Sequence, residues 1–306
     1  MVYPHAIYST SHMIPVLCTI FAGLFGLAFG SFLNVCLSRW PAGESIVSPR
    51  SHCRECSHVL ALWENVPLVS WLTLRGRCRE CREWIGWRYP LVELAVGVLW
   101  AVTIWPFWGW FFAPDLPSLT RCGLLVVTAG KLALVWLLIG LAVLDAEHFW
   151  LPNLLTLPGI ALGIAVHATA AYTGLRLASI GFGPKQPMEA LIYLAGIVAA
   201  GGLILLIRWV YWLVRRREGL GLGDAKLMAM LAAWLGIQGA LLAFGLGILV
   251  GAAVAFMLLA APREYADQAH WALQKLPLGT FLCIGGLIGS LWGHQIIVAY
   301  LRWGGF

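Results

Sequence analysis

The sequence predicts an all-α polytopic membrane protein, with about eight transmembrane helices and a small zinc-binding cytoplasmic domain between helices 1 and 2. Three observations predict it. Of the 306 residues, 60% are hydrophobic and only 11% charged, a balance outside the range of soluble domains. The apolar runs are long and lack period-two alternation, which selects helices over a β-barrel. A single long polar stretch, residues 37–90, carries two C-x-x-C pairs. The expected organisation is therefore a first transmembrane helix over 1–36, a cysteine domain over 37–90 and a membrane domain over 91–306. The net charge of +6 comes from arginines clustered in a few loops, the pattern of orientation signals, and no nucleic-acid partner is expected. The first apolar run lacks a lysine-rich start and a small-residue cleavage site, so it reads as a retained helix.

Ile14 to Val35 is the first span; Gly23, Gly26 and Gly30 recur at helical spacing and predict a close-packing face. The polar groups of Gly30-Ser31-Phe32-Leu33-Asn34 at its end need partners. Arg39, Arg50, Arg54, Arg75, Arg77, Arg79, Arg82 and Arg88 place residues 37–90 in the cytoplasm and the N-terminus outside. The next spans are Leu91 to Phe112, with Trp105, Trp108 and Trp110 at the outer interface, then Leu124 to Leu144, Leu154 to Tyr172, and Met188 to Trp212. Beyond Lys226 a short helix breaks near Gly236-Ile237-Gln238-Gly239, Ala240 to Leu259 crosses back, and Leu278 to Leu301 is the last span. Both termini then lie outside. A second cytoplasmic loop, Pro262 to Leu276, carries Arg263 and Lys275.

The eight cysteines fall into two kinds. Cys18, Cys36, Cys122 and Cys283 sit in apolar stretches and read as packing residues. Cys53, Cys56, Cys78 and Cys81 form two C-x-x-C knuckles 21 residues apart in an arginine-rich cytoplasmic segment. Stable disulfides are disfavoured there, and four thiolates in this pattern suit a tetrahedral structural Zn²⁺. Neighbouring arginines would favour the thiolates, and a metal would supply stability that the small core cannot. His52 and His58 lie alongside and are not needed as ligands.

The chain holds four aspartates, Asp115, Asp145, Asp224 and Asp267. The topology puts Asp115 outside and Asp267 in a loop. Asp145 and Asp224 both fall at a helix boundary on the cytoplasmic side, at matching depth. Alone, Asp224 reads first as a helix cap, and the matching Asp145 is what points to chemistry. Two such carboxyls brought together share a proton, one able to activate water and the other to polarise a peptide carbonyl. That is aspartic-protease chemistry; an ion or proton site in a transporter fits the same pair. Glu147 reads as a solvated charge, His148 as structural, and Pro152 as presetting a helix start.

The residues resemble the type IV prepilin peptidases over nearly the full length. Gly30-Ser-Phe-Leu-Asn-Val35, Pro49-Arg-Ser-His-Cys53, Arg75-Gly-Arg-Cys78 and Trp87-Arg-Tyr-Pro-Leu-Val-Glu93 look like this family's segments, and Gly221-Leu-Gly-Asp224-Ala-Lys226 like its G-x-G-D motif. The resemblance implies an aspartic endopeptidase of the bacterial inner membrane, multi-pass, with its site facing the cytoplasm. It implies Asp145 and Asp224 as the catalytic pair. The implied substrates are prepilins or pseudopilins with a basic leader and an apolar helix, cut after a glycine. It also implies methylation of the new N-terminus from S-adenosylmethionine, near Gly76 and the cysteine domain. Asn153 and Ala225 depart from the family pattern, which bears on substrate choice. Basic inner loops would repel a basic leader at long range, so Glu147 or Glu218 are the expected local contacts. A different G-x-G-D intramembrane protease and a non-enzymatic carrier with a zinc-stabilised loop are the alternatives.

Overall fold

A computed structural model describes residues 13–113, 115–175, 187–216, 221–260 and 276–304. The chain forms two compact units, Met1–Leu116 and Pro117–Phe306. Arg217, Glu218, Asp267 and the loop carrying Arg263 and Lys275 lie outside the described residues.

The first unit is built on α1 (Met13–Arg39) packed against α3 (Arg88–Ile104). The glycines of α1 are the contact, as their spacing predicts. A Cβ on Gly30 would come 2.7 Å from Glu93 Cα, and one on Gly26 would come 2.9 Å from Gly97 Cα. Between them lie a 3₁₀ turn (Leu62–Asn65) and α2 (Val69–Thr73). After Ile104 the chain tightens into a 3₁₀ turn at Trp105–Phe107, where Pro106 cannot continue the α-helical ladder, and then α4 (Trp108–Phe111). The second span thus starts at Arg88, earlier than its apolar run. The polar end of α1 finds partners here: Asn34 Nδ2 donates to the Tyr89 carbonyl at 2.9 Å. The arginines read as orientation signals also tie the chain locally. Arg39 donates to the carbonyls of Ser45 and Pro49, Arg54 to that of Ser38, and Arg88 to the Ser38 hydroxyl.

The second unit is α5 (Ser118–His148), α6 (Asn153–Tyr172), α7 (Pro187–Arg215), α8 (Leu222–Ala260) and α9 (Leu278–Trp303). α8 is not one rod. Gly236 has φ 70° and ψ 172°, outside helical values. Its two arms run in opposite directions along α9. In the first arm Leu231 lies at Gly286 and Leu235 at Gly289; in the second, Gly239 lies at Gly289, Ala243 at Gly285 and Gly251 at Phe281. The break expected near Gly236 is therefore a reversal.

Among the described residues seven helices are long and apolar enough to cross a membrane, α3 to α4 counting as one and α8 as one. The eighth pass expected is the first arm of α8, residues 222–235, which joins the second arm directly at Gly236. At 1.5 Å per residue that arm is about 21 Å long, shorter than the ~30 Å hydrocarbon layer. The bundle turns apolar side chains outward, with Phe21, Leu191, Val198 and Leu249 more than 60% exposed, as lipid rather than water demands.

Candidate active site and metal centre

α5 runs past its apolar stretch, so Asp145 lies inside its last turn rather than after it. Phe149 then stops the helix in a left-handed conformation, its N–H returning to the Asp145 carbonyl. The Asp145 carboxyl is buried. Its Oδ2 accepts the Thr280 N–H at 2.6 Å and stands 3.2 Å from Thr280 Oγ1. That hydroxyl also reaches the Ala142 carbonyl at 3.0 Å. Asp224 stands in the first turn of α8, is also buried, and accepts the Gly221 N–H on Oδ2 at 3.1 Å. This is the reach of a third helical residue back to the cap position. The capping reading of Asp224 and its presence at the site therefore coexist.

The two acids come to the same end of the bundle. Leu151 touches both positions: a Cβ on Gly223 would lie 2.9 Å from Leu151 Cβ, and one on Gly279 would lie 2.9 Å from Leu151 Cδ1 and from the Asp145 carboxyl. Asp224 lies within reach of the Asp145 charge, and the buried Cys283 thiol lies within reach of both acids. At the same end Lys226 Nζ donates to Asn153 Oδ1 at 2.6 Å, joining the starts of α6 and α8. Ala225 is buried, its carbonyl facing Gly201 of α7. Glu147 is exposed with His148 Nε2 3.8 Å away, as a solvated charge would be. Leu151, Gly279 and Thr280 carry no motif in the sequence.

In the first unit the four cysteine sulfurs lie within 4.8 Å of one another. Cys53 Sγ is 3.8 Å from Cys81 Sγ, and Cys56 Sγ is 3.9 Å from Cys78 Sγ. A disulfide needs ~2.05 Å, whereas a tetrahedron with Zn–S bonds of ~2.3 Å sets its sulfurs about 3.8 Å apart. The two knuckles repeat one geometry. Cys53 N–H bonds to the His58 carbonyl and Cys78 N–H to that of Glu83, with Ser57 and Arg82 both at positive φ. Burial opposes ionisation of Cys53, but the N–H groups of Cys56 and Glu55 and the neighbouring thiols bring it down to about 7. These donors act where the sequence pointed to arginines. The Glu83 N–H favours the Cys81 thiolate, yet burial and the other three thiols push it up to about 12. A cluster that resists a full set of charges is one that a dication completes.

His58 is turned to Glu64 instead, at 3.2 Å, and the Ala61 N–H binds the same carboxylate at 2.7 Å. The Ala61 N–H, followed by His58, holds the Glu64 carboxyl below its ordinary range. Gly76, at φ 69°, packs under Trp84 and Trp71, where a Cβ would come 2.7 Å and 2.9 Å from the rings. Glu93 Oε2 accepts the Leu68 N–H at 2.8 Å, fastening α2 to the start of α3.

Residues 24–107 match the bacterial peptidase A24 N-terminal domain, and residues 132–256 match the type IV leader peptidase family. The prepilin leader peptidase/N-methyltransferase of Pseudomonas aeruginosa is 34% identical over 325 aligned positions, covering 98% of both chains. The chain belongs to the type IV leader peptidase family. The enzyme of the same name from Stutzerimonas stutzeri is 32% identical over 94% of both chains, and that from Myxococcus xanthus 39% identical over 86% of this chain and 71% of its own. No solved structure matches. Within this leader-peptidase chain the N-terminal match takes in all four cysteines, and the second match takes in both Asp145 and Asp224.

Proposed function

We propose that this chain is a membrane aspartic endopeptidase that removes the basic leader from prepilins or pseudopilins and methylates the new N-terminus. The observation that supports it is that Asp145 and Asp224 are both buried and that Leu151 packs against both Gly223, beside Asp224, and Gly279, which lies against the Asp145 carboxyl, at one end of one bundle. The pair works on the cytoplasmic face, where the arginine-rich 37–90 segment lies by the positive-inside rule. The substrate's apolar helix lies in the bilayer beside the bundle.

The ionised carboxylate takes a proton from water as its oxygen bonds to the scissile carbonyl carbon. The protonated carboxyl gives its proton to the carbonyl oxygen. The resulting gem-diol then collapses: the C–N bond breaks, the leaving nitrogen receives the proton taken from water, and a diol hydroxyl returns its proton to the second carboxylate. Each proton is recovered, so the pair turns over.

Cys53, Cys56, Cys78 and Cys81 hold one Zn²⁺ as a structural ion that fixes the two knuckles of the 37–90 domain. S-adenosylmethionine, implied by the family resemblance, donates the methyl group, and the cysteine domain around Gly76 is the place the resemblance suggests. The N-terminal domain match favours this reading over other G-x-G-D proteases.

Co-expression of a prepilin with wild type, Asp145→Asn and Asp224→Asn tests the peptidase. Both variants insert normally and leave the leader attached; full processing by either removes the pair. Mass analysis of the processed pilin shows an added methyl group if the second activity is present.

A further inference from the structure

The two carboxyls are not held alike. Asp145 Oδ2 accepts the Thr280 N–H at 2.6 Å and lies 3.2 Å from the Thr280 hydroxyl. Asp224 Oδ2 accepts one N–H, that of Gly221, at 3.1 Å. α9 has no side-chain cap of its own, because its cap residue is Pro277. Asp145, from a different helix, fills that role across 135 residues of sequence. Gly279 makes room for it, since a Cβ there would fall 2.9 Å from the carboxyl carbon and from Oδ2.

Hydrogen bonds to a carboxylate favour its charged form. Both acids face the start of a helix, Asp145 that of α9 and Asp224 that of α8, so the dipoles of those helices do not separate them. Asp145 lies in the last turn of α5, whose dipole opposes charge there, but a dipole end acts more weakly than direct donation to a charged group. The titratable groups facing Asp145 are Asp224 from α8 and Cys283 from α9. On its own helix Glu147 and His148 are exposed and 3.8 Å apart. On α6 only His167 and Tyr172 titrate, both in the far half.

We infer that Thr280 is a positioning residue that makes Asp145 the charge-holding member of the pair and leaves the shared proton on Asp224. Asp145 is then the base that takes the proton from water, and Asp224 the acid at the scissile carbonyl. This rests on the reading of the pair as catalytic. When the charge is on Asp145 the Thr280 hydroxyl donates to it; when Asp145 is neutral, the hydroxyl turns to the Ala142 carbonyl.

The test is the pH dependence of kcat for purified full-length enzyme in liposomes, with a prepilin as substrate. Thr280→Val removes the hydroxyl and keeps the N–H. The acid limb of its profile is expected to move up by about one pH unit, the worth of one hydrogen bond to a charged group, with KM little changed. Thr280→Ser is expected to overlay wild type. Thr280→Ala repeats the measurement where valine disturbs packing. A valine or alanine profile that overlays wild type, or moves down, overturns the inference, as does an equal shift in the serine variant. Asp145→Asn, run in parallel, tests the underlying reading separately: cleavage by that variant removes the pair itself.

Discussion

At the scale of single residues, the site depends on what is missing from two glycines. Gly223 and Gly279 let Leu151 and the Asp145 carboxyl come closer than a side chain would allow. The contact at Gly223 is with Leu151 Cβ, which cannot swing away as a side-chain tip could. Gly223→Ala is therefore expected to displace Asp224 from its partner and lower kcat/KM for prepilin cleavage by roughly 100-fold, as small misplacements of reacting groups do. Leu151→Gly in the same chain is expected to restore part of the loss; unchanged cleavage by Gly223→Ala counts against the geometry. The motif glycines and both aspartates were legible in the sequence because glycine and acid beside an apolar run are rare and costly at a membrane rim. Thr280 was not legible: a threonine at a helix start usually serves its own helix, and only packing shows that it serves Asp145.

At the scale of elements, the decisive feature is the reversal of α8. Gly236 adopts a backbone region that is essentially glycine-only, and a Cβ there would meet no atom within 4 Å. The cost of Gly236→Ala is thus purely one of backbone strain, on the order of 1–3 kcal/mol. A lower melting temperature in detergent, with both aspartates intact, is the expected result; an unchanged one would show the turn tolerates another conformation. The Gly-Ile-Gln-Gly stretch marked a break, but only the opposite order of contacts along α9 shows that the chain doubles back.

At the scale of the molecule, a lipid-solvated bundle and a polar domain with little core answer different stability problems. The bundle satisfies its backbone within helices. The 37–90 segment leans on arginine and glutamate contacts and on its four cysteines. Purified enzyme is expected to contain about one zinc per chain, lost by replacing Cys53 and Cys78 with serine, as read by elemental analysis. A Cys–Cys disulfide in freshly isolated protein would contradict the metal site. The sequence alone determined the membrane class, the helical passes, the knuckles and the two acids, because hydropathy, cysteine spacing and rim charges are local along the chain. Tertiary structure alone decided which helix starts meet, that Leu151 separates the glycines, and that Thr280 holds Asp145. Those contacts join residues 72 to 135 positions apart, and no local pattern encodes a close approach that packing alone creates.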